Sequence, residues 1–221
     1  KDLKCVFYVV EEFLFFNHYK CHKQKISFHR ATMKSYSSYL TSLGYKVSYI
    51  NATSELSDVK KLIPTLIKNG LEELHIIEPN DNWLEKHIKN TSKDISITWY
   101  NNPLFINTKN ELDTFFSSSK KKFFQTSFYK QQRIKRNILM SNGEPIGGKL
   151  TYDSENRKKY PKNKKPPTIN FPEKTPYHLE AEEYVNKHFD SHYGHLSSSI
   201  IYPIDFKTSQ AWLDQFLKKR F

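Results

Sequence analysis

An unbroken apolar run opens the chain. Cys5–Val10 (CVFYVV) is too short for a helix and rich in β-branched and aromatic residues, which predicts a strand buried on both faces, as in parallel sheets. From His22 the period changes. His22, Ile26, His29, Met33, Tyr36, Leu40 and Leu43 follow steps of four and three along one side of a helix, while Lys23, Ser27, Arg30 and Lys34 fall on the opposite ridge. Gly44 stands where a helix C-cap favours positive φ. Tyr45–Ile50 (YKVSYI) then returns to strand chemistry. Strand, crossover helix and strand make a right-handed βαβ unit, around which the rest of the chain is organised.

The alternation continues. Asn51–Ser54 is a polar turn, and Glu55–Asn69 carries Leu56, Val59, Ile63, Leu66 and Ile67 at helical spacing. Pro64 falls inside that helix and either kinks it or marks its first turn. Glu73–Ile77 is a short strand, Asn80 or Asp81 caps a helix holding Trp83, Leu84, His87 and Ile88, and Ile95–Tyr100 is a further strand. The predicted fold is therefore α/β, with a doubly wound, mostly parallel sheet. Beyond Pro103, Thr108 with Glu111 forms a capping box for a helix through Phe116. Lys120–Asn137 reads as a helix, and Gly143–Gly148 breaks regular structure. Lys158–Pro176 reads as an extended connector, with helices following at Glu180–Phe189 and from Ser209 to Phe221. The implied segments are 1–117 (α/β), 118–176 (basic helix and connector) and 177–221 (the start of a helical domain).

Charge sharpens this division. The 221 residues carry a formal +12, of which residues 1–117 hold +2, residues 118–174 hold +11 and residues 175–221 hold −1. A field concentrated in one segment attracts a polyanion, nucleic acid being the usual one, or it marks a solvated lysine-rich linker. Cations interleave with rings there, around Phe123, Phe124, Phe128 and Tyr129. Lys120, Lys121, Lys122, Lys130, Arg133, Arg136 and Arg157 are the candidate nucleic-acid contacts. Aromatics reach 15% and supply core volume in a chain with only 37% apolar residues. No apolar run approaches the roughly 20 residues that span a bilayer, so no membrane partner is expected. Two cysteines do not make a disulfide framework, and a reducing cytoplasm is the expected location.

Ligands of open parallel sheets bind outside the carboxyl ends of the strands. Here those positions hold Glu11 and Glu12, Asn51, Glu78 and Asn80, then Asn101 and Asn102. The set suits a heterocycle or a ribityl chain, and serves equally as ordinary caps and turns. The absence of a Gly-rich phosphate loop after any strand argues against a dinucleotide or triphosphate site. His18, Cys21, His22 and His29 raise a metal reading that no second ligand cluster answers, so no metal is assigned.

Two stretches carry a resemblance. VVEEFLFF followed by CHKQKISFHRATMKSY, and later FYKQQRIKRNILMSNGEPIGGKLTYDSENRKKYP, resemble segments of the deoxyribodipyrimidine photolyase-related proteins. This is the iron–sulfur group of prokaryotic cryptochromes and six-four photolyases. Leu150 and Thr151 depart from the Trp and Asn or Ser usual there, and the family's opening strand with its antenna-pocket turn is absent. The resemblance implies an antenna-type α/β domain, a connector, and a C-terminal helical domain binding FAD and the cluster. That last domain is expected to start within this chain at AWLDQF. It also implies a ribityllumazine-type antenna beside Glu11, Glu12 and Phe13, with Glu78, Asn80 and Asn101 added by the strand-end rule. No catalytic residue is assigned. DNA and the chain's own C-terminal domain are the implied partners, with light-driven DNA repair or blue-light signalling as the activity of the whole. The alternative is a stand-alone basic nucleic-acid-binding module, or an inactive fragment of the family.

Overall fold

The computed structural model describes residues 5–155, 157, 159–196 and 202–220. In chain order the elements are β1 (Val6–Val10), α1 (Phe13–Phe16), α2 (Lys23–Ser42), β2 (Lys46–Ile50), α3 (Val59–Lys68), β3 (Glu73–Ile77), α4 (Asn82–Thr91) and β4 (Ser96–Tyr100). There follow α5 (Lys109–Phe115), α6 (Gln125–Lys135), the short strands β5 (Met140–Ser141) and β6 (Glu144–Pro145), then α7 (Pro176–His188) and α8 (Phe206–Arg220). They form two compact units, Lys1–Tyr100 with Pro167–Phe221, and Asn101–Pro166. Lys158 and Phe221, which bound two of the expected elements, lie outside the described residues.

The first unit is α/β, as its alternating pattern predicts. β1 pairs with β2 and β3 with β4, both parallel, with Val9 opposite Tyr49 and Ile76 opposite Trp99. Short polar side chains start the helices. Glu12 caps α1, Asp58 caps α3 through Lys60 N, and the Asp81 carboxylate accepts from the backbone amides of Trp83 and Leu84. The predicted Glu55–Asn69 helix divides at Asp58 into a 3₁₀ turn over Glu55–Ser57 and α3, with Pro64 inside α3. Likewise α6 starts at Gln125 rather than Lys120. α7 starts at Pro176, where the imide nitrogen suits a first helical turn.

Burial departs from the sequence pattern in two places. β1 is not buried on both faces: Cys5, Val6 and Tyr8 are exposed and Phe7 and Val9 are half-buried. The buried ridge of α2 is also rotated from the apolar stripe. Ile26, Ser27, Arg30, Ala31 and Leu40 are buried, while Tyr36 and Leu43 are exposed. The cause is α7, which packs along α2 with Ala181 against Ala31, both fully buried. Two alanines facing each other let the helix axes approach closely and carry the neighbouring Arg30 into the interior. Phe16, Ile26, Ala52, Val185 and Phe189 form one core cluster; Val59, Ile63 and Ile88 form another beneath Leu74, Ile76 and Trp99.

In the second unit, α5 and α6 are joined by Glu111, whose carboxylate accepts from Lys135 Nζ at 2.6 Å and Arg136 Nη2 at 2.9 Å. Phe115, Phe116, Phe123 and Phe128 are in ring contact with one another. β5 and β6 form an antiparallel hairpin, with Asn142 and Gly143 both at positive φ in its turn.

Candidate functional site

The carboxyl end of β1 holds Glu11 and Glu12, and their side chains do different work. Glu11 is fully buried. Its carboxylate accepts from Arg30 Nη1 at 2.6 Å, Tyr49 Oη at 2.5 Å and Ala52 N at 2.7 Å. Arg30 also donates to Asn51 Oδ1 at 3.0 Å and reaches Glu180 of α7 through Nε and Nη2. Burial alone would lower the Arg30 pKa, but the Glu180 hydrogen bond and the charges of Glu11 and Glu180 raise it, so the guanidinium stays charged. Burial, reinforced by the Glu11 charge, pushes the Tyr49 hydroxyl above its ordinary range and keeps it a hydrogen-bond donor.

Glu12 holds two helix starts at once. One oxygen accepts from Leu14 N at 2.5 Å and the other from Val59 N, the first residue of α3, at 3.3 Å. Burial raises its pKa above the ordinary carboxylate value although both backbone bonds oppose this. Immediately outside lies a set of exposed rings. Phe13 meets His18 edge-on at 6.3 Å between centroids, and His18 meets Tyr19 at 4.3 Å and Trp83 at 5.9 Å. A flat heterocycle can stack on rings of this kind, above an acidic floor. Glu78 is half-buried and Asn80 exposed, both just before α4, so they share the Trp83 end of the unit. Asn101 is exposed and opens the second compact unit.

The four residues that suggested a metal have other arrangements. His22 Nδ1 accepts from Gln24 N at the start of α2, and His29 stacks on Phe16 at 5.0 Å. Cys21 is a free thiol, His18 belongs to the ring set, and no group of three or more His, Cys, Asp or Glu among the described residues is placed to hold a metal ion.

The basic candidates separate into three kinds. Arg133 is buried and donates to the carbonyls of Ile138, Leu139, Lys149 and Leu150 at 2.6–3.3 Å. Its task is to clamp the loop after α6, in which Asn137 and Leu139 adopt positive φ. It is thus not a surface cation, because its donors are spent on backbone carbonyls. Arg136 pairs with Glu111. Arg157 is exposed and within 4.0 Å of Asp153. Lys120, Lys121 and Lys122 are exposed and Lys130 half-buried. Lys120 Nζ lies over the Phe115 ring at 4.1 Å and donates to the Phe115 carbonyl.

The model of the deoxyribodipyrimidine photo-lyase-related protein family matches residues 1–200 of the chain. The chain belongs to this family. It is similar to the "Uncharacterized protein R852" of Acanthamoeba polyphaga mimivirus, with 39% identity over 166 residues that cover 71% of this chain and 83% of the relative. It is also similar to a "(6-4) photolyase" of Agrobacterium fabrum, with 26% identity over 144 residues, which cover 62% of this chain and 28% of that protein. The matched part is thus little more than a quarter of the photolyase. Among the described residues, no helix is long and apolar enough to cross a membrane.

Sequence reasoning marked Glu11, Glu12 and Asn51 as strand-end residues but missed what organises them. Arg30, Tyr49, Glu180 and Tyr184 make a network across more than 150 residues of chain. Arg30 stands one turn after the buried Ile26, and Glu180 one turn before Tyr184. Those spacings are the only local signals of the network.

Proposed function

We propose that this chain is the antenna-binding α/β portion of a photolyase-like flavoprotein. A ribityllumazine-type chromophore stacks at Phe13, His18 and Trp83, above Glu12. Glu78 and Asn80 offer polar contacts to the ring or the ribityl chain. Glu11 acts behind this site by fixing the loop through Ala52, since its oxygens already accept three protein hydrogen bonds. The single observation that carries this reading is the exposed ring set directly outside the buried acidic pair. FAD and an iron–sulfur cluster belong to a further portion of the protein, because Cys5 and Cys21 alone do not supply a four-cysteine ligand set. In the whole protein, light absorbed by the antenna passes to the flavin, and electron transfer from it reverses a DNA photoproduct or drives signalling. Titration of the purified protein with a ribityllumazine, followed by absorbance and fluorescence, tests the reading. Saturable binding that weakens in Phe13→Ala and Trp83→Ala is expected.

A second reading rests on the exposed lysines of the second unit. Residues 118–174 hold +11 of the formal charge, and Lys120–Lys122 project from a loop rather than a packed helix. This segment contacts nucleic acid through its phosphates, either on behalf of the whole flavoprotein or as a stand-alone basic module. A steep salt dependence of DNA affinity tests it.

A further inference from the structure

A cavity of about 680 Å³ lies between α2, residues 167–169 and α8, wholly within the first unit. That volume is in the range of pockets that enclose small organic ligands. It shares no residue with the ring set at Phe13, His18 and Trp83. Its walls are aromatic. The Tyr202 ring meets Phe28 of α2 at 5.7 Å and Trp212 of α8 at 5.6 Å between centroids, and Phe216 follows one turn beyond Trp212. α8 also grips the chain that precedes α7. Gln215 Oε1 accepts from Asn170 N at 2.8 Å, and Gln215 Nε2 donates to Asn170 O at 3.2 Å. Lys219, one turn on, donates to Thr168 O at 2.8 Å and to Gln215 Oε1 at 3.1 Å. These bonds anchor the wall formed by residues 167–169, so the cavity is pre-formed.

The polar chemistry of the lining is that of a donor set. No Asp or Glu is among the described residues that line the cavity. The carboxylates of this stretch are engaged elsewhere: Asp205 accepts from Thr208 N at the start of α8, and Asp214 accepts from Gln210 Nε2. The Tyr202 and Ser209 hydroxyls and the Trp212 indole N–H have no protein partner among the described residues. The Lys219 ammonium has a third N–H beyond the two bonds it makes. Lys218 beside it is exposed and adds to the positive field. We infer that this cavity binds a flat aromatic acid, a ring system that carries one carboxylate or comparable anionic group. Its rings lie against Phe28, Tyr202 and Trp212 in offset or edge-on contact. Its anion takes the spare donor of Lys219, a charge-assisted bond beside an apolar wall. A plain hydrocarbon would cover these donors and leave them unpaired, and an amine would meet an ammonium with no carboxylate to receive it. Occupation ties α8 to α2 through Phe28, so the ligand stabilises the first unit.

The test is titration of the protein, expressed from its whole reading frame, with naphthoate, followed by ligand fluorescence and backbone amide shifts. One naphthoate per chain should bind with Kd below about 1 mM, and the shifts should fall on α8 and residues 167–171. Melting temperature should rise with naphthoate concentration. Naphthylmethylamine should bind at least about tenfold more weakly, because its charge opposes that of Lys219. Lys219→Gln should weaken naphthoate by about three- to tenfold and leave the neutral naphthamide unchanged. Leu213→Trp fills the cavity from a half-exposed lining position and should abolish binding without lowering the melting temperature. Absence of saturable binding overturns the inference, as does equal affinity for acid and amine. Tighter binding of the aliphatic decanoate overturns the aromatic assignment, and binding that survives Leu213→Trp overturns the location. Phe13→Ala and Trp83→Ala should leave naphthoate affinity unchanged, so this site stands or falls apart from the antenna site.

Discussion

The guanidinium carbon of Arg30 lies 3.4 Å from the centre of the Tyr184 ring, so one charged group is stacked on α7 while its edge is bonded to Glu11 and Glu180. This contact joins the two distant stretches of the first unit. It also explains why an arginine on the expected polar ridge of a helix is 3% exposed. A cation buried in this way is tolerated because its donors meet two carboxylates and an amide oxygen, and its face meets a ring.

Arg30→Met leaves Glu11 buried with its charge uncompensated and should cost about 3–5 kcal/mol in urea unfolding. Glu180→Gln removes a partner whose side chain is 45% exposed and should cost about 1 kcal/mol or less. The double variant Glu11→Gln with Arg30→Met should recover part of the single-variant loss, because the uncompensated charge is then gone. Equal, small losses in Arg30→Met and Glu180→Gln would show that the network carries no buried charge pair.

Acid should destabilise the first unit through its histidines. Burial, with Lys25 nearby, lowers the His29 pKa below the ordinary 6.5, and burial does the same for His178. The unfolded chain then binds protons that the folded chain refuses. This stabilisation is complete above pH 6.5 and is lost as pH falls through the folded values. Melting temperature should fall between about pH 7 and pH 5, and His29→Phe should flatten part of that fall while keeping the stack on Phe16. Glu12 acts with the opposite sign. Its raised pKa gives stability that is complete below the ordinary 4.5 and is lost as pH rises through the folded value, a slope that Glu12→Gln should remove.

The strand–helix alternation of the first unit is legible in the sequence because apolar spacing reports local periodicity, and β1 to β4 fall within a residue of where spacing puts them. The burial of Arg30 is not legible, because the partner that buries it, α7, is far along the chain and reads locally as an ordinary amphipathic helix. The ring set at Phe13, His18, Tyr19 and Trp83 is hidden for the same reason: the start of α1, the segment after it and the start of α4 meet only in the folded chain. Charge density in residues 118–174 is visible at once, but it does not distinguish Arg133, bound to four carbonyls, from Lys121 in solvent.

That distinction is measurable. Replacing Lys120, Lys121 and Lys122 together by Gln should lower the slope of log affinity for duplex DNA against log salt by about 2–3, at unchanged stability. Arg133→Met should instead destabilise the second unit by about 2–3 kcal/mol, since the charged hydrogen bonds of a buried guanidinium to four backbone carbonyls are lost. An unchanged salt slope in the triple variant would remove these lysines from any nucleic-acid interface.

The most direct measurement is the affinity of the protein, expressed from its whole reading frame, for a ribityllumazine. The account predicts one chromophore per chain, with affinity reduced by about three- to tenfold in Phe13→Ala and in Trp83→Ala, the worth of an aromatic stacking contact. Arg133→Met should leave that affinity unchanged. Absence of saturable binding, or binding unaffected by either ring substitution, would contradict the antenna site at the end of β1.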